Sequence, residues 1–186
     1  MVENNDTEAS YTVPGVTLSA GQKAGNILQL RLHSLNDLQL TLKHVHWNVV
    51  GRDFIGVYEM LDPQIDEVRL MVDALAERMA TLGVSPNGLP GDLVARRTWD
   101  DYSINRAATA EHLAALDLVY SGVVTSMRSA MAEIGALDPI TEDLLMGQIA
   151  ALEQFQWFIR AHLESDAGTL ANAGEHTEVG AAQKLR

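Results

Sequence analysis

Apolar residues recur in steps of three and four along the chain, the spacing that places them on one face of an α-helix. The first series predicts a helix over about 22–49 that ends before Gly51, and a second series predicts a helix that stops at Gly83. Pro63 interrupts the second segment. Either the helix begins there, with Asp62 as its N-cap, or an earlier helical turn is kinked. The two apolar series are Leu28, Leu32, Leu35, Leu38, Leu42, Val45, Val49 and Ile65, Val68, Val72, Leu75, Met79, Leu82.

Two further helices follow VSPNGLPGD, the densest cluster of turn-forming residues in the chain. The segment LVARRTW directly after it is predicted to form a short extra helix. Ser103 is the expected N-cap of the third long helix, and Asp138 followed by Pro139 is a start signal for the fourth. No alternating strand pattern of useful length appears. Four long helices with one long central connection predict an all-α four-helix bundle.

The length of 186 residues and a hydrophobic content of 47% fit one domain with a sizeable core. We expect a flexible acidic N-terminal tail over 1–20, the bundle over 21–166 and a flexible C-terminal tail over 167–186. No run of eighteen apolar residues appears, which argues against a membrane span, and the N-terminus lacks a signal-peptide pattern. Cysteine is absent, which excludes disulfides and thiolate metal sites and fits a cytoplasmic protein.

The chain has 13 Lys and Arg against 25 Asp and Glu, a formal net charge of −12. Such a charge repels phosphate backbones and attracts cations. Composition alone leaves two interpretations open, a soluble acidic surface and a protein that collects metal ions.

An acidic ridge on the second predicted helix is the first candidate for a cation site. On a helical wheel Asp62, Asp66, Asp73 and Glu77 fall within about 60° of one another, beside the apolar face. Such a ridge is usually a solvated helix face. Asp73 and Glu77, however, are four residues apart with no Lys or Arg between them, so they repel unless a cation lies nearby.

The stretch KHVHWNV at the end of the first predicted helix contains the second candidate. His44 and His46 are two residues apart, about 200° around a helix, so they cannot chelate one ion together. His46 shares the apolar side and is either a hydrogen-bonded core residue or a ligand, whereas His44 is read as structural or exposed. The position of Trp47 is compatible with a packing role or with a functional role.

No Glu in the chain is followed by His three residues later, which excludes the paired Glu-x-x-His arrangement of di-iron bundles. One alternative is a metal site assembled between subunits, one contributing histidine and the other acids. Oxygen ligands with one imidazole suit iron or manganese better than copper.

The stretch KHVHWNVVGRDFIGVYEMLDPQIDEVRLMVDALAERM resembles the signature region of the Dps family, ferritin-like mini-cages named for DNA protection in starved cells. The ending LEQFQWFIRAHLE is similar to the last bundle helix of that family, and the resemblance spans about 25–165. It implies a ferritin-like four-helix bundle with a short extra helix in the central connection. It also implies assembly into a hollow dodecamer with oxidation sites at two-fold interfaces.

The matching metal-binding positions are His46 and Asp62 of one subunit with Asp73 and Glu77 of the partner subunit. Tyr58 stands where the family has a second histidine. A neutral phenol is a poor ligand for ferrous iron, whereas a phenolate binds ferric iron well. Tyr58 therefore either ligates iron or leaves the second iron position weak.

The resemblance implies oxidation of Fe(II), preferably by hydrogen peroxide, and storage of the ferric mineral inside the shell. Trp47 would lie next to the site as a radical quencher or electron relay. Asp138, Glu142 and Asp143 match acids that line an iron-entry pore in similar proteins, although the helix dipole alone also explains acids at a helix start.

DNA binding is expected to be weak or absent, although the family name suggests it. No Lys or Arg precedes Lys23, and the C-terminal tail has as many acidic as basic residues. A protein that protects DNA mainly by physical association is the alternative function. A merely structural helical assembly is the third.

Overall fold

The computed structural model describes residues 10–186, and the predicted all-α four-helix bundle is confirmed. The first nine residues of the predicted N-terminal tail lie outside the described part of the chain. The elements in order are α1 Leu18–Asn48, β1 Val49–Val50, α2 Phe54–Thr81, α3 Pro90–Arg96, β2 Ala107–Ala108, α4 Thr109–Ile134, α5 Pro139–Leu163 and α6 Glu178–Gln183.

The bundle consists of two helical hairpins, α1 with α2 and α4 with α5, packed around one apolar core. Leucines from the first predicted series, among them Leu28, Leu35 and Leu42, are fully buried in this core. The two-residue strands β1 and β2 pair in parallel, with Val49 opposite Ala107. This pairing fixes the end of α1 beside the start of α4, at the same end of the bundle as the start of α2.

The helix ends follow from short capping residues. Thr17 precedes α1 and its hydroxyl accepts the backbone N–H of Ala20 at 3.2 Å, so the helix begins four residues earlier than predicted. Asp138 is the N-cap of α5 with Pro139 at the first position, as predicted. Gly83 follows α2 with φ of +83°, a left-handed conformation that glycine adopts without steric cost.

The alternative in which Asp62 caps a helix that starts at Pro63 is wrong. The helix α2 begins at Phe54 and continues through the proline. A proline inside a helix loses one backbone hydrogen bond, at a cost of about 3 kcal/mol. Burial of Val57 and Leu61, in the turns before the proline, offsets that cost.

The predicted N-cap of the third long helix is also wrong. The helix α4 starts at Thr109, six residues after Ser103, and the Glu111 carboxylate accepts the Ala108 backbone N–H at 3.0 Å. Ser103 instead donates its backbone N–H and its hydroxyl to the Glu178 carboxylate, both at 2.7 Å. The extra helix α3 is present in the central connection, although it starts earlier than LVARRTW.

The C-terminal segment, predicted as a flexible tail, contains the ordered helix α6, which packs against α4. Two residues of α6, Ala181 and Ala182, are buried. The buried Asn172 donates to the Ala114 carbonyl at 3.2 Å and to Asp117 Oδ2 at 3.0 Å, and these bonds anchor the segment. Within residues 10–186, no helix combines the length and the apolar character that crossing a lipid bilayer requires.

Candidate metal centre

His46 lies in the last turn of α1 and is almost completely buried, with 4% of its surface exposed. Its imidazole stacks on the phenol ring of Tyr58 near the start of α2, with ring centroids 3.7 Å apart and planes inclined by 30°. Its Nε2 lies 3.0 Å from Oδ1 of Asp62, one helical turn further along α2. The short connection over 49–53 makes this possible, because it places the end of one helix against the beginning of the next.

The Asp62 carboxylate is open to solvent, with 49% of its side chain exposed. Its Oδ1 accepts a hydrogen bond from Lys43 Nζ at 3.2 Å. This bond, and next to it the His46 ring, hold the pKa of Asp62 below its usual range. The carboxylate is therefore ionised at neutral pH and available to a cation.

Nδ1 of His46 makes no hydrogen bond with any residue between 10 and 186, and Nε2 contacts Asp62 at 3.0 Å as an ion-pair neighbour without the alignment of a hydrogen bond. A buried polar group without such a bond costs about 1–3 kcal/mol, and a coordinated metal ion would remove that cost. The separation of Nε2 and Oδ1 also fits two ligands of one ion. Adjacent ligands of an octahedral ion at about 2.1 Å lie about 3.0 Å from each other. The pair therefore fits a divalent cation with one nitrogen and one oxygen ligand.

Asp73 and Glu77 do not join this pair within one chain. Asp73 follows Asp62 by eleven residues on the same helix, a rise of about 16 Å. Both acids are exposed. In the part of the chain that the structure describes, no three His, Asp or Glu side chains meet as a metal-holding group. One chain thus contains two separate halves of the predicted ligand set.

Trp47, next to His46, has 71% of its surface exposed. Other large apolar side chains of the α1–α2 hairpin are exposed with it, namely Leu40, Phe54, Ile55 and Leu70. Trp47, Phe54 and Ile55 flank the short connection between the two helices, and exposed apolar groups that lie together in this way are typical of a surface that another protein covers.

His44 has a structural role, in agreement with the sequence-based interpretation. Its Nε2 donates to the Ile104 carbonyl at 2.9 Å, and its ring meets Tyr102 edge to face at 5.9 Å. Sequence reasoning missed Lys43, the cation beside Asp62. Lys43 and His46 are three residues apart on one helix, so they share a face, and that spacing was the available signal.

The three acids predicted to line an entry pore differ in their surroundings. Asp138 has 2% of its surface exposed, accepts N–H groups of the α5 start and pairs with Arg78 Nη2 at 2.5 Å. Although burial acts in the opposite direction, Arg78 and the Thr141 hydroxyl hold its pKa below the usual range. Glu142 lies over Gly135 and is partly buried, and Asp143 is exposed. Of the three, Asp138 is the least available to a passing ion.

Comparison with known proteins places these features in a family. A family model described as a ferritin-like domain matches residues 25–168. The DNA protection during starvation protein of Mycolicibacterium smegmatis is 52% identical over 177 residues, which are 95% of this chain and 97% of that protein. The fine tangled pili major subunit of Haemophilus ducreyi is also 52% identical, over 162 residues, 87% of this chain and 86% of that protein.

Solved structures agree with this result. DpsA14 from Streptomyces coelicolor matches with a TM-score of 0.88 at 61% identity, over 89% of this chain and 99% of that chain. A tetragonal form of Mycobacterium smegmatis Dps matches with a TM-score of 0.87 at 52% identity, over 89% of this chain and 100% of that chain. The chain therefore belongs to the Dps family of ferritin-like proteins.

Proposed function

We propose that this protein oxidises Fe(II), preferably with hydrogen peroxide, and stores the ferric product in a hollow cage of twelve subunits. The observation that supports this most directly is the buried imidazole of His46, whose Nε2 lies 3.0 Å from the ionised carboxylate of Asp62. Iron is here the substrate and the stored cargo. The cell is protected because peroxide and free Fe(II) are consumed together. A cytoplasmic location is part of the proposal.

The complete site is proposed to form at a two-fold contact between subunits. His46 and Asp62 of one subunit would bind iron together with Asp73 and Glu77 of the partner subunit. Two features support this. The two acids are too far along α2 to reach His46 and Asp62 of their own chain, and the exposed apolar residues of the α1–α2 hairpin provide a surface for a second copy. A bound cation would also relieve the repulsion between Asp73 and Glu77.

The site would hold two Fe(II) ions so that peroxide accepts both electrons in one pairwise step. Two Fe(II), one hydrogen peroxide and two protons give two Fe(III) and two waters, and no hydroxyl radical leaves the site. His46 and Asp62 position the first ion. The second position would be weak, because Tyr58 replaces an imidazole there and its ring lies flat against His46. Trp47 would serve as an electron relay beside the site.

Iron is proposed to enter through a pore lined by acids at the start of α5. Glu142 and Asp143 are its principal candidates, since Asp138 is already paired with Arg78. The net charge of −12 per chain would raise the local concentration of Fe(II) around the shell.

Replacing a proposed ligand should slow iron oxidation. We expect His46→Ala or Asp73→Ala to lower the rate of peroxide-driven Fe(II) oxidation several-fold, because each removes one donor from the site. Stopped-flow absorbance of the ferric product measures this rate. His162→Ala is the matched control, because that histidine is exposed and, among residues 10–186, its hydrogen bond is to the Phe158 carbonyl of its own helix. Native rates in both ligand variants would reject the site assignment.

A second candidate function, DNA protection by physical association, is suggested by the names of several relatives. The charge of this chain opposes it, so we expect no stable complex with duplex DNA at about 150 mM salt. A gel shift measures this, with a variant that has six lysines added at the C-terminus as the positive control. A stable complex of the native protein would instead favour the nucleoid function.

A structural role is the third candidate, since one relative is named as a pilus subunit. Iron loading separates this role from the first. With an assembly that has no metal site, ferric absorbance would appear no faster than in protein-free buffer.

A further inference from the structure

Tyr58 contacts the proposed ligand His46 through the face of its ring, whereas a second metal ligand would need only its hydroxyl near the ion. The two rings are stacked with centroids 3.7 Å apart. A metal ion on Nε2 lies in the plane of the imidazole, whereas the phenol ring lies above that plane. Tyr58 also meets the Phe54 ring edge to face at 6.3 Å, and it is only partly exposed. Contact through the ring faces suits electron transfer better than ligation.

We propose that Tyr58 donates one electron, through its contact with His46, when only one Fe(II) occupies the site. This inference rests on the proposed function and gives the chain's own tyrosine a role in it. The weak second iron position makes the singly occupied site a frequent state. A peroxide molecule that arrives then meets one metal electron although it needs two.

Tyr58 supplies the second electron that the reduction of peroxide requires. Reduction of hydrogen peroxide to two waters takes two electrons and two protons. One Fe(II) supplies the first electron, and Tyr58 supplies the second together with its phenol proton. One further proton comes from solvent. The products are Fe(III), a neutral tyrosyl radical and two waters. A second Fe(II) and one proton then restore the phenol and give another Fe(III). Without Tyr58, the one-electron reaction would release a hydroxyl radical.

The other tyrosines are placed less well for this role. Burial raises the pKa of Tyr102 and of Tyr120 well above the usual range, so both hold their protons tightly. Tyr11 is exposed, and its hydroxyl lies 3.5 Å from the Ala80 carbonyl. Ala80 is about 33 Å along α2 from Tyr58. Tyr58 is thus the tyrosine in contact with the site.

The test uses the assembled protein loaded with one Fe(II) per chain and then mixed with hydrogen peroxide. Freeze-quench electron paramagnetic resonance should detect a tyrosyl radical in the native protein and in Tyr11→Phe. In Tyr58→Phe the signal should disappear, and a spin trap should report several-fold more hydroxyl radical. Phenylalanine keeps the ring stacked on His46, so the variant removes the oxidisable group and preserves the packing.

Two further variants make each outcome decisive. Tyr58→His should give no tyrosyl radical, and less trapped hydroxyl radical than Tyr58→Phe, because a second imidazole holds the second iron. A radical that persists in Tyr58→Phe, or one that disappears only in Trp47→Phe, would overturn the inference. Equal spin-trap yields in the native protein and Tyr58→Phe would overturn it as well. Failure of the proposed function is separate, since His46→Ala would then oxidise Fe(II) at the native rate.

Discussion

Two inactive variants should regain about a quarter of the native rate of Fe(II) oxidation when their subunits are dissociated, mixed in equal amounts and reassembled. One variant has His46→Ala with Asp62→Ala, and the other has Asp73→Ala with Glu77→Ala. In a random mixture half of the two-fold contacts join unlike subunits, and each contact contains two sites. At an unlike contact one site has all four native ligands and the other has none. A quarter of all sites is therefore complete.

The controls separate complementation from residual activity. Each variant taken alone through the same dissociation and reassembly should stay near the rate of protein-free buffer. The same two variants mixed without dissociation should also stay there, because their subunits do not exchange. If the reassembled mixture has native size but no activity, the ligands do not meet across a subunit contact. If either variant alone keeps the native rate, its two residues do not ligate iron.

The proposal of a shared site follows from the rigidity of a single helix. Asp62 and Asp73 lie on one continuous helix, Phe54–Thr81, about 16 Å from each other along its axis. No side-chain rotation closes that distance. In the proposed site a second copy, related by a two-fold axis, brings the far acids of one chain to the near pair of the other.

Sequence patterns predicted the four bundle helices because their apolar spacing and their end signals agree. Where two local rules competed, the prediction was wrong. Pro63 favours a helix start, whereas Val57 and Leu61 extend the apolar face through it, and burial prevailed. Ser103 is a favourable N-cap by residue type, but its hydroxyl bonds to Glu178, 75 residues away. A rule that considers only neighbouring residues cannot predict a hydrogen-bond partner so distant in sequence.

The ordered C-terminal helix escaped prediction for a related reason. Its buried residues, Ala181 and Ala182, are small and contribute little to an apolar pattern. The segment is anchored by polar contacts of Asn172 and Glu178 with distant parts of the chain. Polar residues near a terminus are usually read as solvated, so the sequence suggested a tail.

The pairing of His46 with Asp62 was expected from the resemblance to the Dps family, because local patterns left His46 open as a core residue or a ligand. The stacking of Tyr58 on His46 was not, because it depends on the rotation of α2 relative to α1. The pairing of Arg78 with Asp138 was equally hidden, at 60 residues of separation. Loss of that pair is expected to lower the stability of the protein strongly.

Asp138→Ala should lower the free energy of unfolding by about 3–5 kcal/mol, the usual cost of leaving one member of a buried ion pair alone. The side chains of Arg78 and Asp138 are 14% and 3% exposed. Asp138→Asn should cost about 1 kcal/mol less than the alanine, because asparagine still caps α5. Denaturant midpoints measure these losses, at one fixed protein concentration because assembly also contributes to stability.

The pH dependence of stability tests whether the ionised carboxylate of Asp138 accounts for the loss. The folded protein holds the pKa of Asp138 below its usual range, so its ionic contribution is complete above the unfolded pKa of about 3.9 and is lost as pH falls through the folded pKa. The difference in unfolding free energy between the native protein and Asp138→Asn should therefore be constant at neutral pH and shrink under acid conditions.

Replacing an exposed acid on the same helix, in Asp143→Asn, should change stability by no more than about 0.5 kcal/mol. Adding Arg78→Met to Asp138→Asn should recover most of the loss, because the unpaired buried charge is then gone. If the double variant is no more stable than Asp138→Asn, the cost comes from capping and packing, and the ion pair is not its source.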